Sequence, residues 1–210
     1  LGVRLVGSEM CIRDRADTIR GDGDSDWAGE KEDRKSTSGG VLRIGSHVIK
    51  TWSSTQRVIA LSSADSELYA IVKGVTEGLG IQSLAKDMAK KIKVKIHSDA
   101  SAALGIATRA GIGKIRHLDV SLLWVQQPAI QKLVKLGKVS SDVNPADALT
   151  KHLPRDVMEK HIARMGFEYR QGRAETTPKL ACSLTRSAST RRLSQTATKD
   201  KTCIHQTDET

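Results

Sequence analysis

The order in which the apolar pattern changes period along residues 19–165 constrains this chain more than any other feature. Residues 19–24 read as a first strand that ends on a carboxylate. Residues 39–44 and 47–52 flank Gly45-Ser46, a turn-forming pair, and read as a hairpin. The period then becomes helical: Leu68, Ile71, Val72, Val75 and Leu79 mark one face of a helix that Leu61-Ser62-Ser63 caps. Gly74, Gly78 and Gly80 weaken its propensity, so tertiary packing must hold it. Residues 93–97 alternate around Val94 and Ile96 as a strand running into Asp99, and a helix over 100–107 follows at once. Gly111 and Gly113 mark a loop, and residues 118–127 are helical until Pro128. Residues 133–139 form a further strand, 145–151 open another helix, and 153–165 form a last amphipathic helix. Consecutive strands followed by alternating helix and strand describe an α/β domain with a mixed five-stranded sheet and flanking helices.

The 210 residues suffice for one domain and its ends. With three Trp, two Tyr and one Phe, the core must be built from Val, Ile, Leu and Ala. No apolar run approaches the roughly 18 residues of a membrane span, which predicts a chain with no membrane partner. The formal charge of +10 favours a polyanionic partner, because phosphate neutralisation supplies most non-specific nucleic-acid affinity. Cys11, Cys182 and Cys203 are an odd, scattered set without metal-ligand spacing, which points to a reducing, intracellular setting, cytoplasmic or nuclear.

Residues 1–15 have no initiator Met and no helical or strand period, and resemble an adapter-derived leader foreign to the domain. From residue 168 the composition shifts: 13 of the last 43 residues are Ser or Thr, and basic residues outnumber acidic ones. Such a segment cannot bury enough surface to offset its ordering entropy, so 168–210 is expected to be a disordered basic tail. The domain is therefore expected over 16–167.

Four carboxylates fall at strand ends and helix starts of this pattern. They are Asp24 in Gly23-Asp24-Ser25-Asp26-Trp27-Ala28-Gly29, Glu67 in Ser62-Ser63-Ala64-Asp65-Ser66-Glu67-Leu68-Tyr69, Asp99 in Ile96-His97-Ser98-Asp99, and Asp147 in Asn144-Pro145-Ala146-Asp147-Ala148-Leu149-Thr150-Lys151. A converging set repels itself unless cations neutralise it. Hard oxygen ligands select Mg²⁺ or Mn²⁺, and two such ions can clamp the attacking and leaving oxygens of a phosphodiester. Strand side chains alternate, so Asp24 and Asp26 share a face and one of them reaches the metals. Asp65 and Glu67, two apart on a helix, cannot both face the site.

These motifs, together with Asp33-Arg34-Lys35-Ser36-Thr37-Ser38-Gly39, Trp52-Ser53-Ser54, Gln56 and Arg116-His117-Leu118-Asp119, resemble in order and spacing the ribonuclease H domain of copia-type retrotransposon Pol polyproteins. The resemblance covers roughly residues 17–166. It implies a ribonuclease H-like fold and hydrolysis of the RNA strand of RNA–DNA hybrids, leaving a 5′-phosphate and a 3′-hydroxyl. It also implies two Mg²⁺ (or Mn²⁺) ions, bridged by Asp24, with Glu67 and Asp99 holding one and Asp147 the other. Ser62, Ser63, Ser98 and His117 are candidate substrate contacts. A preceding reverse transcriptase domain of the same polyprotein is the implied partner.

Other readings compete. Ser62 and Ser63 also suit a helix cap, His117 a cap or packing role, and Trp27 and Trp52 the core. Lys86, Lys90, Lys91, Lys93 and Lys95 suit a solvated face. The chain departs from the family in lacking an aromatic after Gly40, in Pro128, and in a short segment 138–143 that could misplace Asp147. A decayed or domesticated domain that binds nucleic acid without cutting it is therefore the alternative. An integrase core is a third reading, disfavoured by the Asp, Glu, Asp, Asp order.

Overall fold

The computed structural model describes residues 17–113, 115 and 117–167. The expected leader and tail, with all three cysteines, lie outside the described residues. Five strands form one sheet: β1 (Thr18–Asp26), β2 (Thr37–Ile44), β3 (His47–Thr55), β4 (Lys93–Ser98) and β5 (Val134–Lys138), in the order β3-β2-β1-β4-β5. The first three strands are antiparallel neighbours, while β4 and β5 run parallel to β1. This is the expected mixed sheet. β1 and β2 each reach further than the sequence pattern showed, β1 to Asp26 and β2 back to Thr37.

The two faces of β1 carry different chemistry because strand side chains alternate. Ile19, Gly21 and Gly23 face the long helix α1 (Ser63–Asp87). A Cβ on Gly21 would lie 2.5 Å from the Ile96 side chain and 2.6 Å from Leu42, so glycine there lets neighbouring core side chains meet over the strand. α1 answers with its own small residues: a Cβ on Gly78 would stand 2.8 Å from Val94. Gly74 and Gly78 thus exchange helix propensity for close packing on β4. Leu68, Ile71, Val75, Val94 and Ile96 are buried between them, and the helix α2 (Ser101–Thr108) closes the same core with Ala103 and Ile106.

The segment expected as one helix over 118–127 is instead a 3₁₀ turn, Val120–Val125, continuing into the short helix α3 (Gln126–Ile130). Pro128 does not stop it. The proline occupies the first turn of α3, where its missing N–H would have had no intrahelical acceptor. Residues 145–151 likewise form a 3₁₀ turn, Pro145–Leu149, with Pro145 at its first position and Asn144 capping Ala146 N–H at 3.2 Å. The last helix, α4 (Arg155–Arg164), is as expected. Gly40 has Trp52 as its cross-strand neighbour, and a Cβ there would lie 2.1 Å from the indole. The ring across Gly40 fills space that an aromatic on β2 would otherwise occupy.

Candidate metal centre

The centre lies where the sheet splits. β1 pairs with β4 from Thr18 to Asp22, but with β2 as far as Asp26. Beyond Asp22, the β4-side edge of β1 has no strand partner, and its backbone groups must be satisfied otherwise. Gly23 O accepts from Asn144 Nδ2 at 3.1 Å, and Ser25 N–H donates to Glu67 Oε1 at 3.2 Å. Those two bonds draw the 145–149 turn and the start of α1 to the same point. The crevice beyond the carboxyl ends of parallel strands is where open α/β sheets place ligands.

One oxygen from each of Asp24, Glu67 and Asp99 lies within 4.8 Å of the others. Asp24 is fully buried and Glu67 is 8% exposed. Asp26 does not join them, since it accepts from Thr37 N–H across the hairpin. Asp65 is also turned away. It accepts from Leu61 N–H at 3.1 Å while its own N–H bonds Ser62 Oγ at 3.2 Å, a reciprocal cap of α1.

Asp147 neighbours Asp24, and Lys151 bridges the two carboxylates. The ammonium lies 3.1 and 3.2 Å from the two Asp24 oxygens and 3.5 Å from Asp147 Oδ1. Thr150 Oγ1 also donates to Asp24 Oδ2, and Ser141 Oγ donates to Asp147 Oδ2 at 3.2 Å. The short 138–143 segment therefore delivers Asp147 to the site, because the Ser141–Val143 turn and buried Asn144 hold it there.

Electrostatics register the crowding. Burial, then the charges of Asp24 and Asp99, push the Glu67 carboxyl up to about 8. Burial and Asp24 push Asp147 up to about 6. Burial alone would lower Lys151, but Asp24 and Asp147 outweigh it and hold the ammonium above its ordinary value. Glu67 Oε2 and Asp147 Oδ1 are buried without a hydrogen-bond partner. Such oxygens are costly to leave unmatched. Hard carboxylate oxygens, one without a hydrogen-bond partner and the other with only the Lys151 ammonium at 3.5 Å, they fit Mg²⁺ or Mn²⁺. Asp24, Glu67 and Asp99 would form one ligand group, and Asp24 with Asp147 a second.

The candidate substrate contacts separate. Ser62 caps α1 and lies 3.4 Å from Nε2 of exposed His117. Ser63 is exposed beside it as the first residue of α1. Ser98 is a correction: it is fully buried, and its hydroxyl accepts from Ala100 N–H at 3.2 Å, so it shapes the turn rather than meeting substrate. Trp27 is another. Its ring is 54% exposed, tethered through Nε1 to Ala60 O at 3.2 Å, whereas Trp52 does pack against the core. Sequence pattern alone assigns no role to Thr150, Lys151 or Ser141. The first two close the Asp147 motif, and that placement is the available signal.

The sheet order and the acidic centre at its split define a ribonuclease H-like fold. No protein-family model matches the sequence. The chain is similar to the retrovirus-related Pol polyprotein from transposon TNT 1-94 of Nicotiana tabacum, with 26% identity over 156 residues. It is also similar to that from transposon RE1 of Arabidopsis thaliana, with 25% identity over 146 residues. Its homologues are thus Pol polyproteins of copia-type transposons. The matches cover 73% and 68% of this chain but 12% and 10% of the polyproteins, so the chain spans about a tenth of their length. Similar solved structures include the N-terminal RNase H domain of Rv2228c from Mycobacterium tuberculosis, at a TM-score of 0.45 and 15% identity, covering 70% of this chain and 96% of that one. LC11-RNase H1 in complex with an RNA/DNA hybrid gives a TM-score of 0.43 and 13% identity, covering 63% and 92%.

Proposed function

We propose that this chain is the ribonuclease H module of a copia-type Pol polyprotein and hydrolyses the RNA strand of RNA–DNA hybrids. The observation that carries this reading is the convergence of Asp24, Glu67 and Asp99 from β1, α1 and the turn after β4 to within 4.8 Å, with Asp147 joined to Asp24 through Lys151. Bound divalent cations would neutralise charge on the reacting phosphate and generate the attacking hydroxide. The chain's own part is positional. Asp24 is fixed by Thr150, Glu67 by Ser25 N–H and Asp147 by Ser141, so each carboxylate presents a fixed oxygen to the crevice. Half-buried Ser62 and exposed Ser63 and His117 lie together at the start of α1 and would contact the sugar–phosphate backbone, with the 2′-hydroxyls marking the RNA strand.

A reverse transcriptase domain of the same polyprotein is the partner in this proposal, and an intracellular, reducing setting its location. The domain boundaries 16–167 belong to it as well. Among the described residues no helix is long and apolar enough to cross a membrane.

The test is cleavage of an end-labelled RNA–DNA hybrid in Mg²⁺ and in Mn²⁺, with Asp99→Asn alongside. Cation-dependent cutting of the RNA strand, lost in the variant, supports the reading. One observation favours the rival, a non-catalytic nucleic-acid-binding domain: a lysine already neutralises Asp24 and Asp147. That rival predicts a folded protein that binds the hybrid and leaves it intact.

A further inference from the structure

The Asp147 motif ends in Thr150-Lys151: Thr150 fixes Asp24, but Lys151 has no part in the proposed chemistry. Their placement divides the centre in two. On the Glu67 side, an unpartnered buried oxygen faces a gap bounded by Asp24 and Asp99. On the Asp147 side the gap is filled. Lys151 contacts both oxygens of Asp24 and approaches Asp147 Oδ1, which has no hydrogen-bond partner. The Lys151 N–H bonds Asp147 O at 3.0 Å, so one helical turn tethers the ammonium next to the carboxylate it neutralises. The stem is flexible, and the side chain is 38% exposed, which leaves a path to water.

We propose that Lys151 is a built-in counter-ion for the Asp24–Asp147 half of the centre, which a divalent cation must displace to bind there, so that the two halves fill in a fixed order. The Asp24–Glu67–Asp99 half fills first, because Lys151 touches one of its three carboxylates, Asp24, whereas it lies against both carboxylates of the other half. The second half fills only when Lys151 swings out, and an ammonium and a cation about 3 Å apart would repel strongly in so dry a place. Lys151 is in this sense a positioning residue. It keeps Asp24 and Asp147 apposed while the second half is empty and sets a threshold for its filling. The inference rests on the proposed metal-dependent reading.

The experiment uses the full chain with Mn²⁺ alone and no nucleic acid, at pH 8.5, where protons compete least. Free Mn²⁺ is counted by electron paramagnetic resonance and affinities are measured by titration calorimetry, for the wild type, Lys151→Met, Lys151→Arg and Asp147→Asn. The wild type should bind one Mn²⁺ and then a second at least about tenfold more weakly. Lys151→Met should tighten the second step roughly tenfold and leave the first within about threefold. Lys151→Arg, which keeps the charge, should leave the second step as weak as in wild type. Asp147→Asn should abolish it. In EDTA, Lys151→Met should melt at a lower temperature than wild type, with Mn²⁺ closing the difference. A Lys151→Met second step no tighter than that of wild type overturns the inference, even if stability falls. Absence of any bound Mn²⁺ in every form overturns the metal-dependent reading as well.

Discussion

Asp22 and Asp24 lie two residues apart on one face of β1, both buried, and their surroundings have opposite sign. Asp22 meets two guanidinium groups, Arg43 Nη2 at 2.5 Å and Arg20 Nε at 3.5 Å, with the His97 ring Nδ1 at 3.6 Å. Asp24 meets carboxylates, with Lys151 as the opposing charge. The sheet split explains the difference. Asp22 pairs with His97 as the last residue of the β1–β4 ladder, so its side chain is enclosed by β2 and β4. Asp24 is past the split, where Glu67, Asp99 and Asp147 can approach. Arg43 also donates to Arg164 O, tying Asp22 to the end of α4. The same residue type at the same depth thus anchors the fold in one case and burdens it in the other. Buried like charges persist where a fold gives up stability for a function.

The largest effect should separate the two aspartates outright. Asp24→Asn should reduce hybrid hydrolysis by at least about a thousandfold, because it removes the carboxylate shared by both ligand groups. It should leave the melting temperature of the metal-free protein unchanged or higher, since one of four crowded charges is gone. Asp22→Asn should do the reverse. The half-buried Arg43 guanidinium then loses its counter-charge, at a cost of about 3 kcal/mol, while folded protein keeps hydrolysis within about threefold. Thermal melts in EDTA and single-turnover cleavage measure both. Loss of cleavage in Asp22→Asn without loss of stability would merge the two sites into one.

Next in size is the pH dependence of stability. Glu67 and Asp147 titrate at about 8 and about 6 in the folded protein, above the 4.5 and 3.8 of ordinary Glu and Asp. Between the ordinary and the raised values the folded state holds more protons than the unfolded state, so stability falls as pH rises. The contribution is whole below about pH 4 and is lost by about pH 8. The melting temperature in EDTA should therefore drop from pH 5 to pH 8, and Glu67→Gln should flatten most of that slope. Mg²⁺ should reverse the trend by taking the protons' place. At pH 7, cation binding should release close to one proton, read as a buffer-dependent calorimetric enthalpy. A flat melting profile in EDTA would mean that the Asp24 surroundings are not as anionic as the geometry has them.

The legible parts of this site are those that local pattern dictates. The helical period of α1 showed that Asp65 and Glu67 cannot both face the site, leaving the choice to the motif, and the β4 alternation carried the chain to Asp99. Gly74, Gly78 and Gly80 signalled that tertiary packing must hold α1, but not which of them meets β4 closely. The rest depends on contacts distant in sequence. Asp22 gave no signal because its partners Arg43 and His97 come from β2 and β4. Trp27 looked like core in a chain so poor in aromatics, yet the ring extends past the end of β1 and rests one edge on Ala60. Pro128 looked like a stop because a helix start cannot be told from a helix interior without the turn that precedes it. Asp147 was visible as a motif, but the Asn144 side chain had to bridge to Gly23, 121 residues away, before its position was fixed.

The smallest effect sharpens the comparison at its outer edge. Ser141 Oγ donates to Asp147 Oδ2, and that bond is the one hydroxyl contact opposing the upward pressure on this carboxyl. No equivalent is needed at Asp22, where guanidinium groups keep their charge at any ordinary pH. Ser141→Ala should cost about 0.5–1 kcal/mol of stability. It should also move Asp147 further above 6, because the bond favours the charged form. At pH 8 Asp147 is ionised with or without the hydroxyl, so cleavage should be unchanged there. At pH 6 the variant should be roughly twofold slower, since a shift of about half a unit lowers the ionised fraction from about a half to about a quarter. A uniform rate loss at both pH values would assign Ser141 to loop geometry. A loss confined to low pH would show that Asp147 works as a free carboxylate in a pocket of its own charge.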